Sequence, residues 1–341
     1  MPSQLKAILT TLLLLTTSSL ASLSPHLSPP TPGCSGTPHP PGFHDTTTTP
    51  PIHSGNLTRT YAIYIPPSYA ANPHHPHPLI LDYHGNNGNP LNQYNNSRYF
   101  DIDTPLGQGQ SYIAVYPAGM NGSWQSAPYA VEGVDDVRFT GDLLDHLRRE
   151  YCIDTTRIYA SGKSNGGGFV DYLACSDVGD QFAAFAMSSA ALYSDKGVAQ
   201  CNNSKPRAIL ESHGGNDSTI SYLGGPRSGG FLPDVREWIG WWAVRDGCAA
   251  DCEDCKEVEG ENGYEVLRYD CGGLEDVVVH YEVFELGHCW PSSTGENSDS
   301  ARSYCGDRSL DFTSVVLEFF GRWRLGSGGV EMAEGWRGWR T

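Results

Sequence analysis

Basic residues are scarce in this chain. Lysine and arginine number 22 against 39 aspartates and glutamates, and the formal net charge is −17 at pH 7. This excludes the basic face that nucleic acids and anionic membrane surfaces select. Charge of either sign is thin as well, at 18% of residues, where an average soluble protein has roughly 25%. Sustained heptads and internal repeats are missing, which excludes coiled coils and helical repeats. Beyond the N-terminal segment no apolar stretch approaches the roughly 20 residues of a membrane span. What fills the chain instead is glycine (39), proline (23) and aromatic residues (11%), a composition that suits a loop-rich extracellular protein. Hydrophobic residues, at 39%, suffice for a sizeable core.

The N-terminus carries an address. Lys6 precedes the apolar run Ala7 to Leu15, and Ser19-Leu20-Ala21 sets small residues at −3 and −1 of a cleavage site. This predicts a signal peptide over 1–21 and a secreted mature protein. The alternative, an N-terminal anchor helix, needs a longer apolar run. Ten cysteines remain after cleavage, an even count that reads as disulfides in an oxidising compartment. Zinc at Cys248, Cys252, Cys255 and Cys271 is the competing reading, but the C-x-x-C has no second copy to complete a site. Sequons stand at Asn56, Asn95, Asn121, Asn202 and Asn216.

Alternating and short apolar runs predict strands at 59–65, 79–81, 113–116, 157–160, 208–210 and 277–284. Helical periodicity predicts helices over 136–151, 234–245 and 315–323. Strands alternating with helices imply a mostly parallel sheet covered on both faces, with no linker to divide it.

Gly162-Lys163-Ser164-Asn165-Gly166 matches G-x-S-x-G between a predicted strand and a predicted helix, the setting of a nucleophile elbow. A serine nucleophile needs a base, an orienting acid and oxyanion donors. In the chain order serine, acid, histidine, Asp217 lies beyond the strand ending near Leu210, and His288 lies beyond the one ending near Phe284. Asp195 and Asp234 compete for the acid, but neither follows a strand as closely. His213 reads as shaping the acid loop, and His280 and His84 read as structural. The oxyanion donors expected are the backbone N–H groups of Asn165 and Asn86. Trp124, Tyr129, Tyr222 and Trp290 lie near the motif loops and are candidates for a flat aromatic acyl slot. A glycan on Asn216 would crowd the acid, so that sequon is expected to be unmodified.

The cysteines also divide by loop logic. Cys289 and Cys305 bracket a Ser-, Gly- and Asn-rich stretch that nothing apolar holds, so a disulfide there would anchor the histidine loop. The rest pair most simply as Cys34–Cys152, Cys175–Cys201, Cys248–Cys271 and Cys252–Cys255. A free Cys289 thiol is the alternative.

Taken together, Tyr83-His84-Gly85, Trp124 with Asp135-Asp136, Gly162 to Phe169, His213-Gly214-x-x-Asp217 and Gly287-His288-x-Trp290-Pro291-Ser292 resemble the secreted fungal feruloyl esterases. These are related to acetylxylan esterases and polyhydroxybutyrate-depolymerase-like enzymes. The resemblance runs from Cys34 to Leu325. Cys289 after the histidine, and Cys252/Cys255 in an expanded loop, depart from its pattern. It implies an α/β-hydrolase, and composition sets its single domain over 56–325, after an exposed Pro/Thr-rich lead-in (22–55) and before a Gly-rich tail (326–341) outside the fold. It also implies hydrolysis of ferulate esters on plant cell-wall polysaccharide such as arabinoxylan, by Ser164, Asp217 and His288, without metal or cofactor. Acetylated xylan or a polyhydroxyalkanoate-type polyester is the alternative substrate. A non-catalytic carbohydrate-binding protein on the same scaffold is the remote one.

Overall fold

A computed structural model describes residues 30–100, 112–201, 205–249, 256–261, 263–300, 302–306 and 308–333. The expected signal peptide, the Asn202 sequon, the expected Cys252–Cys255 pair and residues 334–341 lie outside the described residues.

A ten-stranded sheet organises the chain. Its strands are β1 (Gly42–His44), β2 (Tyr61–Ile65), β3 (His77–Tyr83), β4 (Ile113–Pro117), β5 (Ile153–Lys163), β6 (Ala184–Ser188), β7 (Ala208–Gly214), β8 (Lys256–Glu261), β9 (Tyr264–Cys271) and β10 (Leu274–Val283). They lie in the order β1-β2-β4-β3-β5-β6-β7-β10-β9-β8. The six central strands, β4 to β10, are parallel, and the outer pairs at both edges run antiparallel. Strands β3, β4, β6 and β7 are buried along their whole length, the expected state of a parallel sheet covered on both faces. This is the α/β-hydrolase fold.

Among the described residues the longer helices are α1 (Pro90–Ser97), α2 (Asp136–Glu150), α3 (Asn165–Ala174), α4 (Val235–Arg245) and α5 (Phe312–Arg322), and they cover the sheet. Alternation along the strands assigns them to faces. Tyr159 stacks on Phe320 of α5, and Asp82 meets Gln93 of α1, so α1 and α5 share one face. Tyr83, the neighbour of Asp82, reaches Thr140 of α2 and Phe169 of α3 on the other face, where Trp242 of α4 donates to Asp171 of α3. Helix α2 starts where Asp135 accepts from the Arg138 N–H and buries Phe139, Leu143, Leu144 and Leu147 as one stripe.

Three expectations need correction. Part of the lead-in belongs to the fold: β1 pairs with β2, and Cys34 is bonded to Cys152. Part of the tail does too, because Gly329–Met332 returns on Trp323–Gly326 as a hairpin, with Val330 and Met332 packed on the core. Strands β6, β8 and β9 were not predicted. Strand β6 reads Ala-Phe-Ala-Met-Ser, with neither alternation nor β-branched residues to mark it.

Candidate active site

Strand β5 ends at Lys163 and helix α3 begins at Asn165, so Ser164 alone makes the turn. Its φ of 54° and ψ of −121° are strained for an L residue and hold its side chain out of the helix axis. The glycines around it permit close approach. A Cβ on Gly166 would run into the Tyr83 carbonyl oxygen, and one on Gly162 would meet the Gly166 carbonyl at 2.6 Å.

Ser164 Oγ lies 2.9 Å from His288 Nε2, and His288 Nδ1 lies 2.7 Å from Asp217 Oδ2. These three residues come from the ends of β5, β7 and β10, all on the same edge of the parallel strands. The other oxygen of Asp217 accepts from the Thr219 and Ile220 N–H groups, each at 2.8 Å. Burial pushes the Asp217 carboxyl up, but the hydrogen bond and charge of His288, with the charge of His213, hold it below the ordinary carboxylate range. Burial pushes the His288 imidazole below its ordinary value, although Asp217 opposes this. A neutral imidazole facing a hydroxyl and backed by a carboxylate can take that hydroxyl's proton.

The histidine loop is fastened on several sides. Cys289 is bonded to Cys305, and the Gly287 N–H donates to the Cys305 carbonyl. Lys163, next to Ser164, pairs at 2.5 Å with Asp299, which also accepts from the Trp290 N–H. Sequence reasoning did not single out Asp299; a lone aspartate in a polar loop carries no signal of a partner 136 positions away.

The Asn165 N–H opens the first turn of α3, where helical amides have no partner within the helix. Opposite it, the loop after β3 abuts the serine: a Cβ on Gly85 would stand 3.3 Å from Ser164 Cβ and 3.8 Å from its Oγ. Asn86 follows, exposed, before the Asn87 N–H ties the loop to the Gly122 carbonyl. His84 fixes this loop by accepting from the Gly119 N–H, and burial lowers its pKa to about 4, so it stays neutral. Asp195 pairs with Lys196 and Asp234 caps α4, so neither joins the site.

Three of the four aromatic candidates are not available to an acyl group. Trp124 is fully buried, stacked on Phe169, with its indole N–H on the His84 carbonyl. Its backbone exchanges hydrogen bonds with the Asn165 side chain, so it braces the elbow instead. Trp290 is buried against Phe312, with its indole N–H on Thr313. The buried Tyr222 bonds His280 through its hydroxyl. Tyr129 alone is half-exposed, beside a small cluster of Ala127, Ala191, Tyr193, Ile220 and Leu232. Such positions combine an aromatic side chain with a partner for its polar atom, which sequence cannot distinguish from a binding slot. Near Tyr129, a groove of about 730 Å³ opens between residues 125–134 and the turn at 229–231.

Cysteine bonding also bears on metal. Cys248 is bonded to Cys271 and Cys175 to Cys201, so Cys248 and Cys271 are not zinc ligands.

No family model matches the chain. Feruloyl esterase D of Neurospora crassa is 30% identical over 221 residues, which are 62% of this chain and 70% of that protein. The chain belongs to the feruloyl esterase family. A bifunctional acetylxylan esterase/xylanase of Neocallimastix patriciarum is 31% identical to this chain over 179 residues, 52% of the chain. The chain spans about a quarter of that protein's length, 24%. A ferulic acid esterase from Anaeromyces mucronatus, solved in complex with ferulic acid, superposes with a TM-score of 0.49 at 14% identity, covering 78% of this chain and 90% of that one.

Proposed function

We propose that the chain is a secreted serine esterase that hydrolyses feruloyl or other hydroxycinnamoyl esters on plant cell-wall polysaccharide such as arabinoxylan. The observation that carries this reading is the unbroken hydrogen-bonded series Ser164, His288, Asp217 on a strained strand-to-helix turn. In this reading His288 takes the Ser164 proton as Oγ attacks the ester carbonyl. The tetrahedral oxyanion is held by the N–H groups of Asn165 and Asn86. His288 then gives the proton to the departing sugar hydroxyl, leaving an acyl-enzyme. Water, activated by the same imidazole, attacks that ester and frees the acid and Ser164. Asp217 keeps the imidazole in the right tautomer throughout. Secretion is supported by the four disulfides and by the N-terminal pattern of Lys6 to Ala21.

Acetylated xylan is a second reading, favoured by the likeness to the bifunctional acetylxylan esterase/xylanase. Hydrolysis of methyl ferulate, an aryl acetate and hydroxybutyrate oligomers by the purified protein separates these. Turnover of methyl ferulate is expected, and turnover of acetate alone overturns the feruloyl assignment. Ser164→Ala should lower kcat by several orders of magnitude. Retention of more than a few per cent would mean that another group is the nucleophile.

A further inference from the structure

Behind Asp217 lies a chain of buried polar groups that the proposed mechanism does not use. His213 and Glu211 on β7 are completely buried. His213 Nδ1 stands 3.0 Å from Glu211 Oε1, and its Nε2 stands 2.8 Å from the Ile220 carbonyl oxygen and 3.6 Å from Asp217 Oδ2. Both ring nitrogens therefore face acceptors. Only an imidazolium, with a proton on each nitrogen, satisfies both. Beyond it, Glu211 Oε2 lies 2.9 Å from Nδ1 of His280, whose Nε2 meets the Tyr222 hydroxyl at 2.9 Å.

Burying two carboxylates in one place costs far more than their hydrogen bonds return unless a cation lies between them. His213 is in that place. It also bonds the carbonyl of Ile220, the residue whose own N–H donates to Asp217. The turn that carries the acid is thus clamped from behind by one ring.

We propose that His213, held as an imidazolium by Glu211, is a positioning residue that fixes the Asp217 carboxylate and its turn so that Asp217 can orient His288. This rests on the esterase reading above. The titratable groups around the ring are Glu211 on its own strand, Asp217 and Tyr222 on the following loop, His280 on β10, and His288 on its own loop. The Glu211 and Asp217 carboxylates outweigh burial and raise the His213 pKa to about 9. His213 and Lys163 are the positive neighbours that, with burial, keep His288 low.

The test is the pH profile of methyl ferulate hydrolysis in His213→Gln and Glu211→Gln. Each should lower kcat by tenfold or more with KM within about twofold. His213→Gln should also move the acidic limb of kcat/KM, which reports His288, to higher pH, because a neighbouring positive charge is lost. A loss of activity with an unmoved limb means a merely structural role and overturns the proposal, as does full activity. If either variant fails to fold, ring-nitrogen NMR of the native protein at pH 7.5 decides: doubly protonated His213 is expected, and a neutral ring overturns it. Organophosphate labelling of native Ser164 keeps the two ideas apart. An unlabelled serine removes the esterase reading itself, whereas a labelled serine with an unmoved limb removes only the role of His213.

Discussion

Ser164 sits in a backbone conformation that costs on the order of 1–3 kcal/mol, held by contacts on both sides of the turn. The residues that tolerate no added atom there separate stability from chemistry. A methyl group at Gly166 would strike the backbone carbonyl of Tyr83, which cannot yield, so Gly166→Ala should leave little folded protein. A methyl group at Gly85 meets the Ser164 side chain at 3.3 Å from its Cβ and the Lys163 carbonyl oxygen at an ordinary 3.6 Å. Gly85→Ala should therefore fold, with a melting temperature near that of the parent, yet lose roughly ten- to a hundredfold in kcat/KM through displacement of Ser164. Parent-like kinetics in that variant would mean that the loop after β3 is not part of the reacting site. At Asn216 the side-chain nitrogen donates to Glu285 at 2.8 Å, and peptide mass spectrometry should find that sequon unmodified.

The element that carries His288 is a loop held by Leu286 and Trp290 in the core and by bonds made along it. The Cys289–Cys305 disulfide spans 16 positions, a closure that the chain-entropy account rates at about 3 kcal/mol. The Lys163–Asp299 pair joins the same loop to the strand that leads into Ser164. Replacing both Cys289 and Cys305 by alanine should lower the unfolding free energy by up to about 3 kcal/mol and reduce kcat more than KM, because the imidazole loses its alignment. Denaturant unfolding and steady-state kinetics measure both. A double variant with parental kcat would show that the Lys163–Asp299 pair and the backbone bonds suffice to hold the loop.

Over the whole molecule, buried titratable groups set how stability follows pH. Burial raises Asp82 to about 6 and both Asp171 and Asp246 to about 7. The folded chain keeps these protons longer than the unfolded one, so their contribution falls as the pH climbs from about 4 to about 7. Burial lowers His77, His84, His146 and His288, which act oppositely, but their gain is complete by about pH 6.5. His213, raised to about 9, contributes fully below about 6.5 and loses that contribution as the pH rises through about 9. Asp217 and Glu211 are held low by their histidine neighbours and lose theirs only in acid. Above pH 6.5 these groups only subtract, and the net charge of −17 adds self-repulsion. Calorimetry should find the melting temperature falling by several degrees between about pH 6.5 and 9. A flat profile over that range would contradict the buried imidazolium.

Much of this protein is legible in its residue order. Five of the six parallel strands, the long amphipathic helices and the turn at Ser164 follow from apolar patterning and from glycine spacing, because both are local properties of the chain. Asp217 and His288 can be named because each closes a strand in a fixed chain order, and the structure brings both to Ser164. The four disulfides seen join cysteines that loop logic had paired. Tertiary structure alone decided which polar and aromatic groups are buried together. Trp124, Trp290 and Tyr222 look like ligand contacts in sequence and prove to be braces, while His213 and Glu211 gain significance only beside Asp217. The physical reason is that burial and partnership depend on residues far apart in the chain, and no local pattern records which carbonyl or carboxylate will face a given ring.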